Sequence, residues 1–181
     1  MPNNRACLPT LLPTLLPRLR AFALRLSGDH HDAEDLVQFA CMRALERAHQ
    51  LQPGSSPLSW TFAIVHSSWI NEVRSRQVRS RSRVAWDDTI IESVSAPSAP
   101  TPETELLHRQ ILAALSTLPE GQREVMLLVA IERFSYKEAA EILEVPIGTV
   151  MSRMSRARQA MGALFEERRK IPHQAPSLFR A

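Results

Sequence analysis

Residues 149–159 place Thr149, Ser152, Arg153, Ser155, Arg156 and Gln159 on a stretch with no acidic residue. Hydroxyl and guanidinium groups reach base edges and phosphates, whereas a carboxylate there would be repelled by the phosphates. A second set, Trp60, His66, Trp69, Asn71 and Arg74, mixes aromatic rings with amide and basic groups. Unstacked bases require aromatic platforms and a basic track along the backbone. A third set is acidic: His30, His31, Asp32, Glu34 and Asp35 crowd together. Histidines with carboxylates can hold a metal, but acids at a helix start are favoured by the helix dipole alone. No second cluster completes a site. Cys7 and Cys41 form no CxxC pair and no disulfide scaffold. Neither an enzyme nor a metal, cofactor or small-molecule substrate is expected.

The elements that must position these groups come from ordinary material. The chain has 181 residues, 44% hydrophobic and 23% charged, enough for one domain or two small ones. Five glycines leave little for phosphate-binding loops. No apolar run approaches the ~18–20 residues that span a bilayer. The stretch from Leu8 to Leu19 is interrupted by Pro9, Pro13 and Pro17, and no A-x-A-like cleavage site follows. A cytoplasmic protein without direct membrane insertion is expected.

Charge is segregated rather than large. The net is +3, and all basic residues are arginine except Lys137 and Lys170. Arginine is the better residue for bidentate and stacked contacts with phosphates and bases. Residues 29–46 hold Asp29, Asp32, Glu34, Asp35 and Glu46 against Arg43 alone, while residues 74–83 hold five arginines and no acid. Arg153, Arg156 and Arg158 form a second basic stretch. Solvated helix faces would explain any one of these patches. Together they suggest one protein partner and two nucleic-acid contacts.

The segment SVSAPSAPTPET (93–104) reads as an extended linker. It divides the chain into residues 1–90, a linker at 91–105, a second domain at 106–170 and a tail at 171–181. Trp86 and Ile90–Ile91 are possible anchoring points beside it. Both halves read as helical, so the fold class is all-α: two small helical domains, the second a helix-turn-helix. In the first half, Leu19, Phe22, Ala23 and Leu26 share a helix face that Ser27-Gly28 ends. Asp32 is the expected cap of a second helix, which buries Leu36, Val37, Ala40, Cys41, Ala44, Leu45 and Ala48. QPGSSP (52–57) is a loop, and a third helix runs from about Leu58 to Arg76.

Residues 135–161 carry the sharpest motif, a short helix, a turn at Glu144-Val145-Pro146 and a second helix from Ile147. Val150, Met154, Ala157 and Met161 fall on the inward face, leaving the polar set outward. The first helix braces the second across the DNA backbone. Glu144 stands where a left-handed residue, usually glycine, is required, at a cost on the order of 1 kcal/mol.

On these residues the chain resembles a known family. LPEGQREVMLLVAIERFSYKEAAEILEVPIGTVMSRMSRARQAM (118–161) is similar to region 4 of bacterial extracytoplasmic-function (ECF) sigma factors. LLPRLRAFALRLSGDHHDAEDLVQ (15–38) and WTFAIVHSSWINEVR (60–74) resemble region 2 of the same group. The resemblance implies an alternative sigma factor that binds core RNA polymerase through its β′ clamp and β flap. It implies recognition of −35 and −10 promoter elements and transcription initiation in a stress or envelope response. Its implied partners are promoter DNA, core polymerase and an anti-sigma factor. Polymerase contact would fall on Asp32, Asp35, Gln38, Phe39 and Met42, with Phe39 where the family usually has an acidic or polar residue. The −10 element would meet Trp60, His66, Ser67, Trp69, Asn71 and Arg74, Ser67 standing where asparagine is common. The −35 element would meet Lys137, Thr149, Met151, Ser152, Arg153, Ser155, Arg156 and Arg158. Family members are often inactive alone, which implies that the two domains pack together. A simple regulator with this helix-turn-helix would leave the DAEDLVQ segment and the aromatic helix unexplained. A sigma-like decoy would carry a receiver domain, for which 181 residues leave no room.

Overall fold

The computed structural model describes residues 4–52, 54–80 and 110–170, and every regular element among them is helical. Helix α1 spans Asn4–Ser27, α2 His30–Glu46 and α3 Pro57–Ser80, with a 3-10 turn at Ala48–Gln50. Residues 110–116 form α4. Helix α5 (Glu120–Met126) continues into a π-helical turn, Leu127–Ile131, and is followed by α6 (Tyr136–Leu143) and α7 (Ile147–Lys170). The 91–105 linker, Trp86, Ile90–Ile91 and the 171–181 tail lie outside the described residues.

Helix α1 contains the three prolines that interrupt its apolar run. At four-residue intervals they fall on one face, and all three are exposed. Carbonyls left without a donor there are open to water, so the helix persists. The opposite face buries Leu8, Leu12, Leu19, Phe22 and Leu26.

Gly28, at φ 75°, ends α1 one turn earlier than an Asp32 cap would require. Asp29 is the cap instead: its carboxylate accepts the Asp32 N–H at 2.9 Å. Asp32 is thereby placed in the first turn, where both of its oxygens accept from Arg76 of α3 at 2.7 Å. Hydrogen bonding to Arg76 holds the Asp32 carboxyl below its ordinary value. A depressed folded value stabilises the protein above the ordinary aspartate pKa of about 4 and is lost as pH falls through the folded value. Asp32→Asn should therefore cost about 0.5–1 kcal/mol in urea unfolding at pH 7, a half-exposed Arg76 keeping the figure low. The difference should shrink below pH 4.

Leu36, Val37, Ala40 and Ala44 form the buried stripe of α2. Cys41 is half-buried, and burial pushes its thiol pKa up. Leu45, expected in the stripe, is 48% exposed, because its helical phase matches Gln38 and Met42 instead.

The two halves pack against each other and share one core, running from Leu19 to Ala157. Phe22 and Phe62 lie 4.9 Å apart between ring centroids, and Phe134 meets Phe62 edge-on at 4.9 Å. The π-helical turn makes this docking possible. Its extra residue lets the Glu132 N–H reach the Leu127 carbonyl and the Phe134 N–H reach that of Leu128. Arg133 follows at φ 63°. Glu132 is thereby aimed inward, accepting from Arg18 at 3.1 Å and Arg25 at 3.3 Å. A second pair, His66 Nε2 and Glu124 Oε1 at 3.2 Å, is buried along the same interface. No helix among the described residues is long and apolar enough to cross a membrane.

Candidate nucleic-acid and protein-binding surfaces

The helix-turn-helix is built from local hydrogen bonds. Ser135 caps α6: its Oγ accepts the Glu138 N–H at 3.2 Å, and the Glu138 carboxylate accepts the Ser135 N–H at 2.9 Å. Ser135 also donates its hydroxyl to that carboxylate, which holds the Glu138 pKa down. Glu144 takes the left-handed conformation that the motif demands, at φ 52° and ψ 43°. The Val145 N–H closes the turn on the Ala140 carbonyl at 3.1 Å, and Pro146 accepts the first N–H bonds of α7. Along α7, Val150, Met154 and Ala157 are buried against α5 and α6.

Ser152, Ser155 and Arg156 are exposed on the opposite side of α7, Met151 and Arg158 are exposed at the edge of that side, and Lys137 is exposed on α6. Thr149 is half-buried, and its carbonyl accepts from Ser152 Oγ at 3.0 Å. Arg153 lies apart from this surface. Its guanidinium packs over Gly121 of α5, where an added Cβ would come within 2.9 Å of the guanidinium carbon.

Asp35, Gln38, Phe39 and Met42 are exposed together on α2, and Leu45 extends their apolar strip. The Arg43 guanidinium covers the Phe39 ring at 5.1 Å. Between α2 and α3 runs a groove of about 530 Å³, lined by Asp32, Asp35, Phe39, Trp69 and Arg76 among others. Asp32 lines this groove directly while bonded to Arg76.

Helix α3 divides its six candidate residues between two faces. Trp60, Ser67, Asn71 and Arg74 fall in one helical phase, and the last three are exposed. Trp60 is half-buried beside Leu8, Leu12 and Ala44. His66 and Trp69 share the opposite phase with Phe62 and are both 8% exposed. His66 faces Glu124 of the second half, and Trp69 lies against the groove with the Arg76 guanidinium 5.9 Å from its ring.

Glu124, Glu132, Arg18 and Arg25 escaped the sequence reading, although they tie the two halves together. The only available signal was an acid, Glu132, directly after the apolar run LLVAI. Among the described residues no group of three histidine, cysteine or acidic side chains could hold a metal ion.

A helix-turn-helix with an acid-free outer face, joined to a three-helix unit with an acidic and apolar patch, defines a class of DNA-binding transcription proteins. Comparison with known proteins sharpens that class. Residues 11–79 match Sigma-70 region 2, and residues 108–161 match Sigma-70, region 4. The ECF RNA polymerase sigma factor EcfG of Rhodopseudomonas palustris is 38% identical over 82% of this chain and 80% of its own length. The ECF RNA polymerase sigma factor SigM of Bacillus subtilis is 30% identical over 80% of this chain and 86% of its own. The sigma factor RpoE of Bartonella quintana, crystallised with the anti-sigma factor NepR, superposes with a TM-score of 0.73. It is 35% identical, over 87% of this chain and 96% of that one. The chain belongs to the ECF RNA polymerase sigma factors.

Proposed function

We propose that this chain is a promoter-specificity subunit of RNA polymerase: it binds the core enzyme, reads −35 and −10 elements and directs initiation. The observation that carries this reading is the pairing, on one chain and in family order, of the α2 patch with the α6–α7 helix-turn-helix. The α2 surface of Asp35, Gln38, Phe39 and Met42 takes the β′ clamp, with Asp32 acting through Arg76. The outer face of α7, with Lys137 of α6, takes the −35 element. The exposed stripe of Ser67, Asn71 and Arg74 takes the −10 strand, bordered by Trp60. His66 reaches DNA only after the halves separate, because Glu124 of the second half covers it, while Trp69 borders the α2–α3 groove. The packed form is therefore the resting form, and an anti-sigma factor is the partner that holds it. The test is runoff transcription with purified core polymerase and a promoter selected by the holoenzyme. Transcripts that do not depend on the added chain refute the proposal.

The roles of the α7 arginines separate in the same system. Arg156 lies beside Ser152 on the outer face and is assigned to base reading, whereas Arg158 lies at its edge and is assigned to phosphate. Losing a base-reading pair costs ~1–3 kcal/mol of discrimination, and losing a phosphate contact weakens all sequences alike. Arg156→Ala should narrow the affinity gap between the selected −35 element and a scrambled one. Arg158→Ala should weaken both and lower the salt slope by about one unit. A salt titration of holoenzyme on the two DNAs measures both effects. Identical behaviour of the two variants refutes the assignment.

A further inference from the structure

Two exposed apolar side chains on α7 have no packing explanation. Ile147 is 49% exposed and Met151 53% exposed, though both are large and hydrophobic. Four residues apart, they stand on one face of the helix's opening turns. Val150 and Met154, which do form the core, lie beside them and are fully or nearly buried. Other exposed apolar residues are accounted for differently: Phe39, Met42 and Leu45 cluster on α2, while Leu11 and Val78 stand alone.

The position of the pair limits what it can meet. In a helix-turn-helix the N-terminal part of the recognition helix contacts base edges in the major groove. Ile147 and Met151 occupy that part, and the exposed Ser155 continues their row at the next four-residue step. No charged group among residues 147–152 competes for the space. The major groove offers one apolar feature, the C5-methyl group of thymine. We propose that Ile147 and Met151 form an apolar clamp that selects thymine within the −35 element by burying its methyl group. The inference rests on the reading of α7 as the −35 recognition helix and adds the base class that this chain prefers there. Serines and arginines read hydrogen-bonding edges, and this pair reads a methyl.

The probe is a duplex selected by the holoenzyme from a pool randomised at the −35 element. Each of its thymines is then replaced singly by 2′-deoxyuridine, which removes the methyl group and nothing else. At least one replacement should weaken holoenzyme binding about fourfold, the effect of burying one methyl-sized group. Met151→Ala and Ile147→Ala holoenzymes should lose that sensitivity, with the two DNAs binding equally. Both substitutions are at exposed helical positions, and unchanged melting of the variants verifies the fold. A selected element without thymine, or deoxyuridine tolerated at every position, overturns the proposal. So does full sensitivity retained in both variants. If Met151→Ala instead weakens core polymerase association and leaves deoxyuridine sensitivity intact, the pair is a protein contact and the proposal falls. If wild-type holoenzyme binds selected and scrambled −35 elements equally, it is the −35 reading of α7 that fails.

Discussion

Glu132→Ala separates the two halves of the chain while leaving each folded. Its carboxylate is 6% exposed and accepts from both Arg18 and Arg25 across the interface. Burial lowers the Arg25 pKa, with Glu132 acting in the opposite direction, so the guanidinium depends on this partner. Removing one member of a buried pair leaves the other charge uncompensated and costs about 3 kcal/mol. That is a shift of roughly 100-fold in the closed-to-open equilibrium. The contacts that remain, among them Arg18 on the Glu132 backbone carbonyl at 2.7 Å, Phe62 on Phe134, His66 on Glu124 and the shared apolar core, then hold the interface without its buried ion pair. Small-angle scattering of the free chain should show a larger radius of gyration for Glu132→Ala, with helicity by circular dichroism unchanged. An unchanged radius means that the ion pair does not hold the halves together. Loss of helicity in step with expansion means that Glu132 supports the fold of its own half. Arg18→Gln should give a weaker version of the same opening, because the Arg18 side chain is 43% exposed and its charge is screened.

The second large effect is on polymerase binding. Asp35→Arg combined with Phe39→Ala should weaken binding to core enzyme by about 30-fold or more, the ~2 kcal/mol of a single interface hot spot. Asp35 has a 67% exposed side chain, and Phe39 is 43% exposed with Arg43 over its ring. An exposed aromatic beside an acid on one helix face offers both an anchor and an electrostatic steer. Neither side chain belongs to the core, so the double variant should keep its melting temperature and its α6–α7 DNA binding. Anisotropy titration with labelled protein and core polymerase gives the affinity. Wild-type affinity in the double variant would remove α2 from the polymerase surface.

Local patterns determined most of this molecule. The 3.6-residue spacing of Val150, Met154 and Ala157 orients α7, because one apolar stripe leaves only one face for Ser152, Ser155 and Arg156. Pro146, Ser135 and Glu138 mark where the helices start, since their bonds lie within a few residues of each other. The left-handed Glu144 was legible because the motif requires that conformation whatever residue supplies it. The exposed α2 patch was legible as the complement of its buried stripe. Helical phase also separates His66 and Trp69 from Ser67, Asn71 and Arg74, although grouping them by chemistry alone hides that division.

Tertiary structure decided what depends on distant partners. Asp32 and Arg76 are 44 residues apart, and their bond exists because Gly28 lets Asp29 take the cap. Glu132 reads locally as an acid at a helix end. It becomes a buried tie only because the π-helical turn aims it at Arg18, 114 residues earlier in the chain. His66 reads as a nucleic-acid contact until the second half folds over it and supplies Glu124. Periodicity reports which face of a helix is buried, because burial follows from hydrophobic spacing within one segment. It does not report what buries that face, because ion pairs and aromatic contacts between segments leave no regular spacing in the chain.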